Sequence, residues 1–281
     1  MTKLNTNFFI DLKEVDSDYQ LCSEEELESI RSSIGRKVSQ TSNCPTKNQW
    51  EDYWSDVKLK EYKIPTFFKK QDHELASQAF RFDNKFILSD KEHLASDCIH
   101  AIIKNILNYL KADFDSIVEF GCGNGHNLEY IKSLNLFSNI YGCDFSESAV
   151  SIVKDKGFES FIFDMKSPSS QKLKGLNLNN EKTIFFTSGS MEQLGHSWSP
   201  FFAFLESSNV NYVFHIEPII ELYSDTGVEA MSKDFHKKKN YLQGYFSFLQ
   251  EQNYFNLTYS KSNFGTLYDQ GFNVLILKRY D

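Results

Sequence analysis

The segment V-E-F-G-C-G-N-G-H-N, residues 118–127, holds the densest chemistry in the chain. A hydrophobic run ends in Gly121, Gly123 and Gly125 and passes into a helical pattern. Glycine permits a tight turn and lets a ligand approach the backbone. The free N–H groups that open the following helix favour polar ligand atoms. Cys122, Asn124 and Asn127 fall in or beside the same turn, Cys122 as a choice of size. Glu119 is an acid inside an apolar strand, and a buried carboxylate needs partners. It either fixes the loop backbone or assists a cationic ligand. Asp144 comes 23 residues after Gly121, and Asp164 follows in F-D-M. A carboxylate at Asp144 can accept both hydroxyls of a ribose. One at Asp164 can accept from an adenine amino group, with Phe145 or Met165 against the ring. The plainer readings are a strand-to-helix turn for the glycines, a helix N-cap for Asp144 with Ser146 as its competitor, and a strand-end turn acid for Asp164.

A dinucleotide loop reads G-x-G-x-x-G. Here the third glycine arrives one residue early and His126 fills its place, which counts against a nicotinamide cofactor. The constellation resembles the class I S-adenosylmethionine-dependent methyltransferases over about residues 90–281. E-F-G-C-G-N-G is similar to that family's first motif, Asp144 to its ribose-binding acid and Asp164 to its adenine-side acid. In T-S-G-S-M-E-Q-L, Gly189, Met191, Glu192 and Leu194 match a family segment, while Gln193 stands where histidine is frequent. H-I-E-P at 215–218 is similar to the end of the family's fifth strand. The resemblance implies S-adenosylmethionine as cofactor. It implies a cofactor site of Glu119, Gly121, Cys122, Gly123, Asn124, Gly125, Asn127, Asp144, Phe145, Asp164, Met165, Ser188 and Gly189. It also implies a Rossmann-like α/β fold, with seven strands in a mostly parallel sheet, an antiparallel C-terminal strand and helices on both faces.

An oxygen acceptor would gain from a general base. His196 and Glu217 lead the candidates, with His215 two residues before Glu217 on the same strand face. No metal ligand set is expected. The position after the fourth strand reads T-S-G-S, not a D/N-P-P-Y-like segment, so amino-group methylation of a base or glutamine is not indicated. The expected partner is a small-molecule methyl acceptor, a sugar or other metabolic precursor. An anionic acceptor would suit the run H-K-K-K at 236–239, which otherwise reads as a solvated helix face. Arg81 is a candidate for the methionine carboxylate. The alternatives are N-methylation of a small molecule or protein, an NAD(P)-dependent oxidoreductase, and a non-catalytic cofactor-binding protein.

The elements that must position these residues alternate. Strands are expected at 116–120, 139–144, 159–164, 182–187, 211–217, 256–260 and 272–278, with helical stretches between most of them. That order means βαβ units and a mainly parallel sheet. The last two strands are too close for a helical crossover and can pair antiparallel. Ser89 and Glu92 form a capping-box pattern ahead of a helix through Leu110, and Ser23 with Glu26 forms another. Three units are expected: an acidic arm over 1–45, mobile or loosely docked; a helical, aromatic-rich lid over 46–91; and the cofactor-binding domain over 92–281. Trp50, Tyr53, Trp54, Phe67 and Phe68 mark the lid, as ordinary packing or as cover for a cation.

The 281 residues are 41% hydrophobic and 24% charged, an ordinary globular composition, with a formal net charge of −8. Residues 1–30 hold eight acids (Asp11, Glu14, Asp16, Asp18, Glu24, Glu25, Glu26 and Glu28) against Lys3 and Lys13. The remainder is near neutral and has no long basic stripe, so a nucleic-acid partner is not expected. Five cysteines with no CxxC argue against a disulfide framework and for a reducing compartment. No signal peptide and no apolar stretch of membrane-spanning length is read, so the expectation is a cytoplasmic protein with no membrane partner, as a monomer or homodimer.

Overall fold

Short, near-continuous apolar runs, buried on both faces, make the central strands of a sheet rather than helices. In the computed structural model of the chain the described residues are 1–5, 8–16, 18–40, 44–59, 79–83, 85–91, 93–111, 113–169, 173, 176, 178, 180–261, 264–266 and 272–280. In chain order, β1 (Thr2–Lys3), α1 (Leu12–Val15), β2 (Gln20–Leu21), α2 (Glu24–Gln40), α3 (Lys47–Leu59), β3 (Ala79–Phe82) and β4 (Lys85–Leu88) lead to α4 (Leu94–Leu110). Then come β5 (Ser116–Phe120), α5 (His126–Ser133), β6 (Asn139–Asp144), α6 (Glu147–Asp155), β7 (Glu159–Ile162) and β8 (Thr183–Ser188). The C-terminal part holds α7 (Ser199–Ser207), β9 (Tyr212–Pro218), α8 (Gly227–Lys239), α9 (Tyr245–Glu251), β10 (Phe255–Ser260), β11 (Phe264–Gly265) and β12 (Phe272–Arg279).

The main sheet runs β1-β10-β12-β9-β8-β5-β6-β7. Strands β7, β6, β5, β8 and β9 are parallel, and β12 is antiparallel to both β9 and β10. The sheet has eight strands, not the expected seven. The extra one is β1, a two-residue edge piece that pairs parallel to β10. It belongs to the acidic arm and carries too few residues to show a period-2 pattern.

Successive side chains of a strand point to opposite faces, and both faces are covered. Phe185 joins Phe120, Phe163, Phe201 and Phe204 in one core, beneath α7. Its neighbours Ile184 and Phe186 join Ile99, Ile102, Ile106 and Ile117 in the other, beneath α4. The apolar rows of α4 therefore bury as their spacing requires.

The first 91 residues meet expectation in part: α2 and α3 are helices, and the differences lie around Ser89 and in residues 79–88. The Ser23–Glu26 capping box forms: Ser23 N donates to Glu26 Oε2 at 2.7 Å and Glu26 N to Ser23 Oγ at 3.3 Å. Ser89 caps nothing. The helix starts at Leu94, and the Ser89 hydroxyl donates to Asp16 instead; Glu92 lies outside the described residues. The arm packs against the domain, α1 on α4 and α2 on α8. Among its described residues the lid segment is helical at α3 only. Its later described part forms β3 and β4, which with β2 and β11 make a second, antiparallel sheet in the order β11-β3-β4-β2. Phe80, Phe82 and Phe86, which fall within the span expected to be a helical lid, are strand residues there. Phe67 and Phe68 lie outside the described residues. All five cysteines are free thiols. Among the described residues no helix is long and apolar enough to cross a membrane.

Candidate functional site

The strand order reverses between β5 and β8, whose crossovers lead to opposite sides. In open α/β sheets the crevice at such a point, outside the carboxyl ends of the strands, is where ligands bind. A cavity of about 100 Å³ lies there. The end of β5 and its loop contribute Glu119, Gly121, Cys122, Gly123 and Asn124, and α5 contributes His126 and Asn127. Ser188 and Gly189 close it from β8, Ser96 and Ile99 from α4, and Trp54 from α3.

Glu119 is 1% exposed. Its Oε1 accepts from Asn127 Nδ2 at 2.7 Å, while Oε2 is buried and has no hydrogen-bond partner. Burial pushes its pKa up to about 8, opposed by the Asn127 bond and assisted by the Asp144 and Glu217 charges. Asp144 ends β6 under the loop. Its Oδ2 accepts from Gly123 N at 3.0 Å and its Oδ1 from Ser146 N at 2.9 Å. Burial raises it to about 6. Ser146, not Asp144, caps α6, accepting from Ala149 N at 3.1 Å. Asp144 ties the loop to that helix, and lone pairs remain on each oxygen. Cys122 packs with Leu128, Val153 and Phe158 and serves as a small apolar group, as its size suggested.

Asp164 and Phe145 meet α3 rather than the cavity. Lys47 Nζ pairs with Asp164 Oδ2 and lies 5.9 Å from the Phe145 ring centroid. Asp164 Oδ1 accepts from Lys166 N at 2.9 Å. Met165 is buried in the core beneath α7. Gly125 opens α5 beside Val153.

Of the three base candidates, His215 and Glu217 lie buried together on β9, and His196 lies elsewhere. His215 is wholly buried with both ring nitrogens committed, Nδ1 to Thr187 Oγ1 and Nε2 to Tyr245 OH, each at 2.9 Å. Burial holds its pKa down at about 3. Glu217 is also wholly buried. Its Oε1 accepts from Ser190 N and Met191 N, each at 3.1 Å, so it anchors the loop after β8. Burial raises it to about 7. His196 is exposed in the turn after Leu194 and does not border the cavity.

Arg81 is buried in β3, bonded to the Ser232 hydroxyl and 5.2 Å from the Phe86 ring centroid, away from the cavity. The H-K-K-K run divides. His236 is 1% exposed and held at about 3 by burial and the Arg81 charge. Lys237 and Lys238 face solvent in the last turn of α8, where cations suit the helix dipole.

Sequence reasoning missed the wall opposite β8. Ser96 Oγ bonds His126 Nε2. His126 lies 4.6 Å from His100, which stacks on Tyr130 at 4.1 Å and an interplanar angle of 4°. Burial keeps His126 below its ordinary pKa and His100 at about 3, so both imidazoles are neutral at pH 7. The signal was faint: Ser96 is one polar residue among the apolar rows of α4, and only α4–α5 packing brings it to the glycine loop. Among the described residues no cluster of acids, histidines and cysteines could hold a metal ion.

No protein-family model matches the chain, and no curated protein matches it. Among solved structures it is similar to the CMeT domain of the citrinin polyketide synthase, with 11% identity over 66% of this chain and 52% of that one and a TM-score of 0.46. It therefore spans about half of that chain. It is similar to the plantazolicin methyltransferase BpumL in complex with SAH, with 15% identity over 92% and 98% and a TM-score of 0.43. A SAM-dependent methyltransferase from Anabaena variabilis gives 11% identity over 86% and 98%, with a TM-score of 0.46. Likenesses at these scores carry no weight for this chain. Its own strand order makes it a Rossmann-like α/β protein, with a mostly parallel sheet and an antiparallel strand near its C-terminus.

Proposed function

We propose that the chain is a class I S-adenosylmethionine-dependent methyltransferase of a small molecule, with an oxygen nucleophile on a sugar or other metabolic precursor as acceptor. The observation that carries this is Glu119 Oε2, a buried and unpartnered carboxylate oxygen at the switch-point cavity beside the glycine loop. Ionising that carboxyl is costly unless a ligand supplies a cation, and without one the group keeps its proton. The α-ammonium of a methionine moiety would supply that cation, and a nicotinamide dinucleotide has no such group. Ser96 and Asn127 wall the same cavity beside Glu119. Asp144 has lone pairs for ribose hydroxyls, and Asp164 would accept from the adenine amino group.

The cofactor when bound supplies a methyl group on a positively charged sulfur, already a good leaving group. The chain's task is then alignment at short distance and exclusion of water. The glycine loop fixes the floor of the site, and Trp54 covers it before a ligand enters. The free thiols fit a reducing, cytoplasmic setting.

Calorimetry with S-adenosylmethionine, S-adenosylhomocysteine and NAD tests the reading. Heat is expected with the first two only, and none with either would refute it. Transfer of a labelled methyl group into a metabolite extract then identifies the acceptor. Asp144→Ala is expected to weaken S-adenosylhomocysteine binding at least about tenfold, as loss of a charge-assisted bidentate contact should. Unchanged affinity would remove the ribose assignment.

A further inference from the structure

We propose that α3 is a latch: its Lys47 and Trp54 hold groups that the adenosyl half of the ligand needs, so that binding exchanges Lys47 for the nucleoside at Asp164. The inference rests on the cofactor reading above and adds a competitor built into the chain.

Three successive turns of α3 touch the candidate site. Lys47, at the first position of the helix, takes Asp164 Oδ2, while Lys166 N already occupies Oδ1. Glu51 Oε1 accepts from Ser148 N at 3.1 Å and Ser148 Oγ at 2.6 Å, at the start of α6 just after Asp144. Trp54 closes the set. A Cβ on Gly123 would stand 2.6 Å from both Cζ2 and Cη2 of the indole, so the ring edge rests directly on the loop backbone. A ligand that reaches Gly123 by this face must move Trp54, and an adenine amino group that reaches Asp164 must displace Lys47.

The helix is held in a way that allows release. Trp54 and Val57 form a small satellite core with Ala149 and Ile152, separate from the two cores of the sheet. Trp50 and Tyr53 pack against that cluster from outside, and the further attachments to α6 are polar: Glu51 to Ser148, and Lys58 to Ser151 and to Asp155 at 3.7 Å. Segments with few buried apolar contacts open at a fraction of the global unfolding cost. A positive Lys47 in the first turn opposes the helix dipole, and its pairing with Asp164 offsets that.

The test is titration of S-adenosylhomocysteine, which needs no acceptor, into wild type, Lys47→Ala, Asp164→Ala and the double variant by calorimetry. The Lys47 side chain is 58% exposed, so its truncation leaves folding intact. Lys47→Ala is expected to tighten binding by up to about fivefold, the ceiling for an exposed ion pair. The gain should vanish in the Asp164→Ala background. Equal or weaker binding by Lys47→Ala overturns the latch alone. No heat from any of the four proteins overturns the cofactor reading and the latch with it. Tryptophan emission gives a second readout. Binding should shift it to the red as Trp54 leaves Gly123, and Trp54→Phe should remove most of that shift. A wild-type spectrum unmoved by saturating ligand means that α3 stays in place, which overturns the proposal.

Discussion

Replacing Gly121 with alanine is expected to destabilise the fold by about 2–5 kcal/mol and to abolish ligand binding, from left-handed strain and overpacking together. Gly121 has φ +76°, and a Cβ there would stand 2.3 Å from Ser190 Cβ and 2.7 Å from Ser190 Oγ. Ser190 cannot step aside cheaply. Its hydroxyl donates to Phe120 O at 2.8 Å and its N–H to buried Glu217 at 3.1 Å. Gly157→Ala is the control. It has φ +81° but nothing within 4 Å of its Cβ position, so only the strain of about 1–2 kcal/mol applies. Urea denaturation of both variants separates the two effects. If Gly121→Ala lost no more stability than Gly157→Ala, the contact between the loops after β5 and β8 would be loose, and Glu217 would lose its assigned work as their anchor.

That contact marks where sequence reading stopped. The glycines, Glu119 and Asp144 were legible because their surroundings are local: a strand, a turn and a helix follow one another within a few residues. Strands β5 and β6 fall on the expected residues because apolar runs flanked by glycine and polar residues leave few boundaries open. What Gly121 makes room for was not legible, since Ser190 arrives from 69 residues further on. The same holds for His215 and Glu217. Their spacing put them on one face, and it could not say that Tyr245 and Thr187 would seal the one and two backbone N–H groups recruit the other. The β3–β4 hairpin escaped for a different reason. Each strand is four residues long, and although the two pair with each other, the strands that flank them, β2 and β11, lie far away in the chain, so the sheet around the hairpin is tertiary.

Glu119 should make ligand binding strongly dependent on pH. With a pKa raised to about 8, it is protonated at pH 7 in the unliganded protein. A neighbouring ammonium favours the ionised form, so binding expels a proton. Affinity for S-adenosylmethionine should therefore rise about tenfold per pH unit from about pH 6 toward 8. It should level off there as Glu119 itself ionises, and fall above as the ligand's own α-amino group loses its proton at about 8. The sign for stability is opposite. The folded state holds the Glu119 proton more tightly than the unfolded chain, whose carboxyl titrates near 4.5. Its contribution to stability is thus full below that value and declines as pH rises to about 8. Glu119→Gln keeps the size and a carbonyl acceptor for Asn127, removes the charge, and should flatten both profiles. It should also cost about a hundredfold in affinity at pH 8, the scale of losing one partner from a buried charge pair. Calorimetry at pH 7 in buffers of different ionisation enthalpy counts the proton directly: about one released by wild type, none by the variant. Wild type releasing none would place the ammonium elsewhere and leave Glu119 with its bond to Asn127 as its whole role.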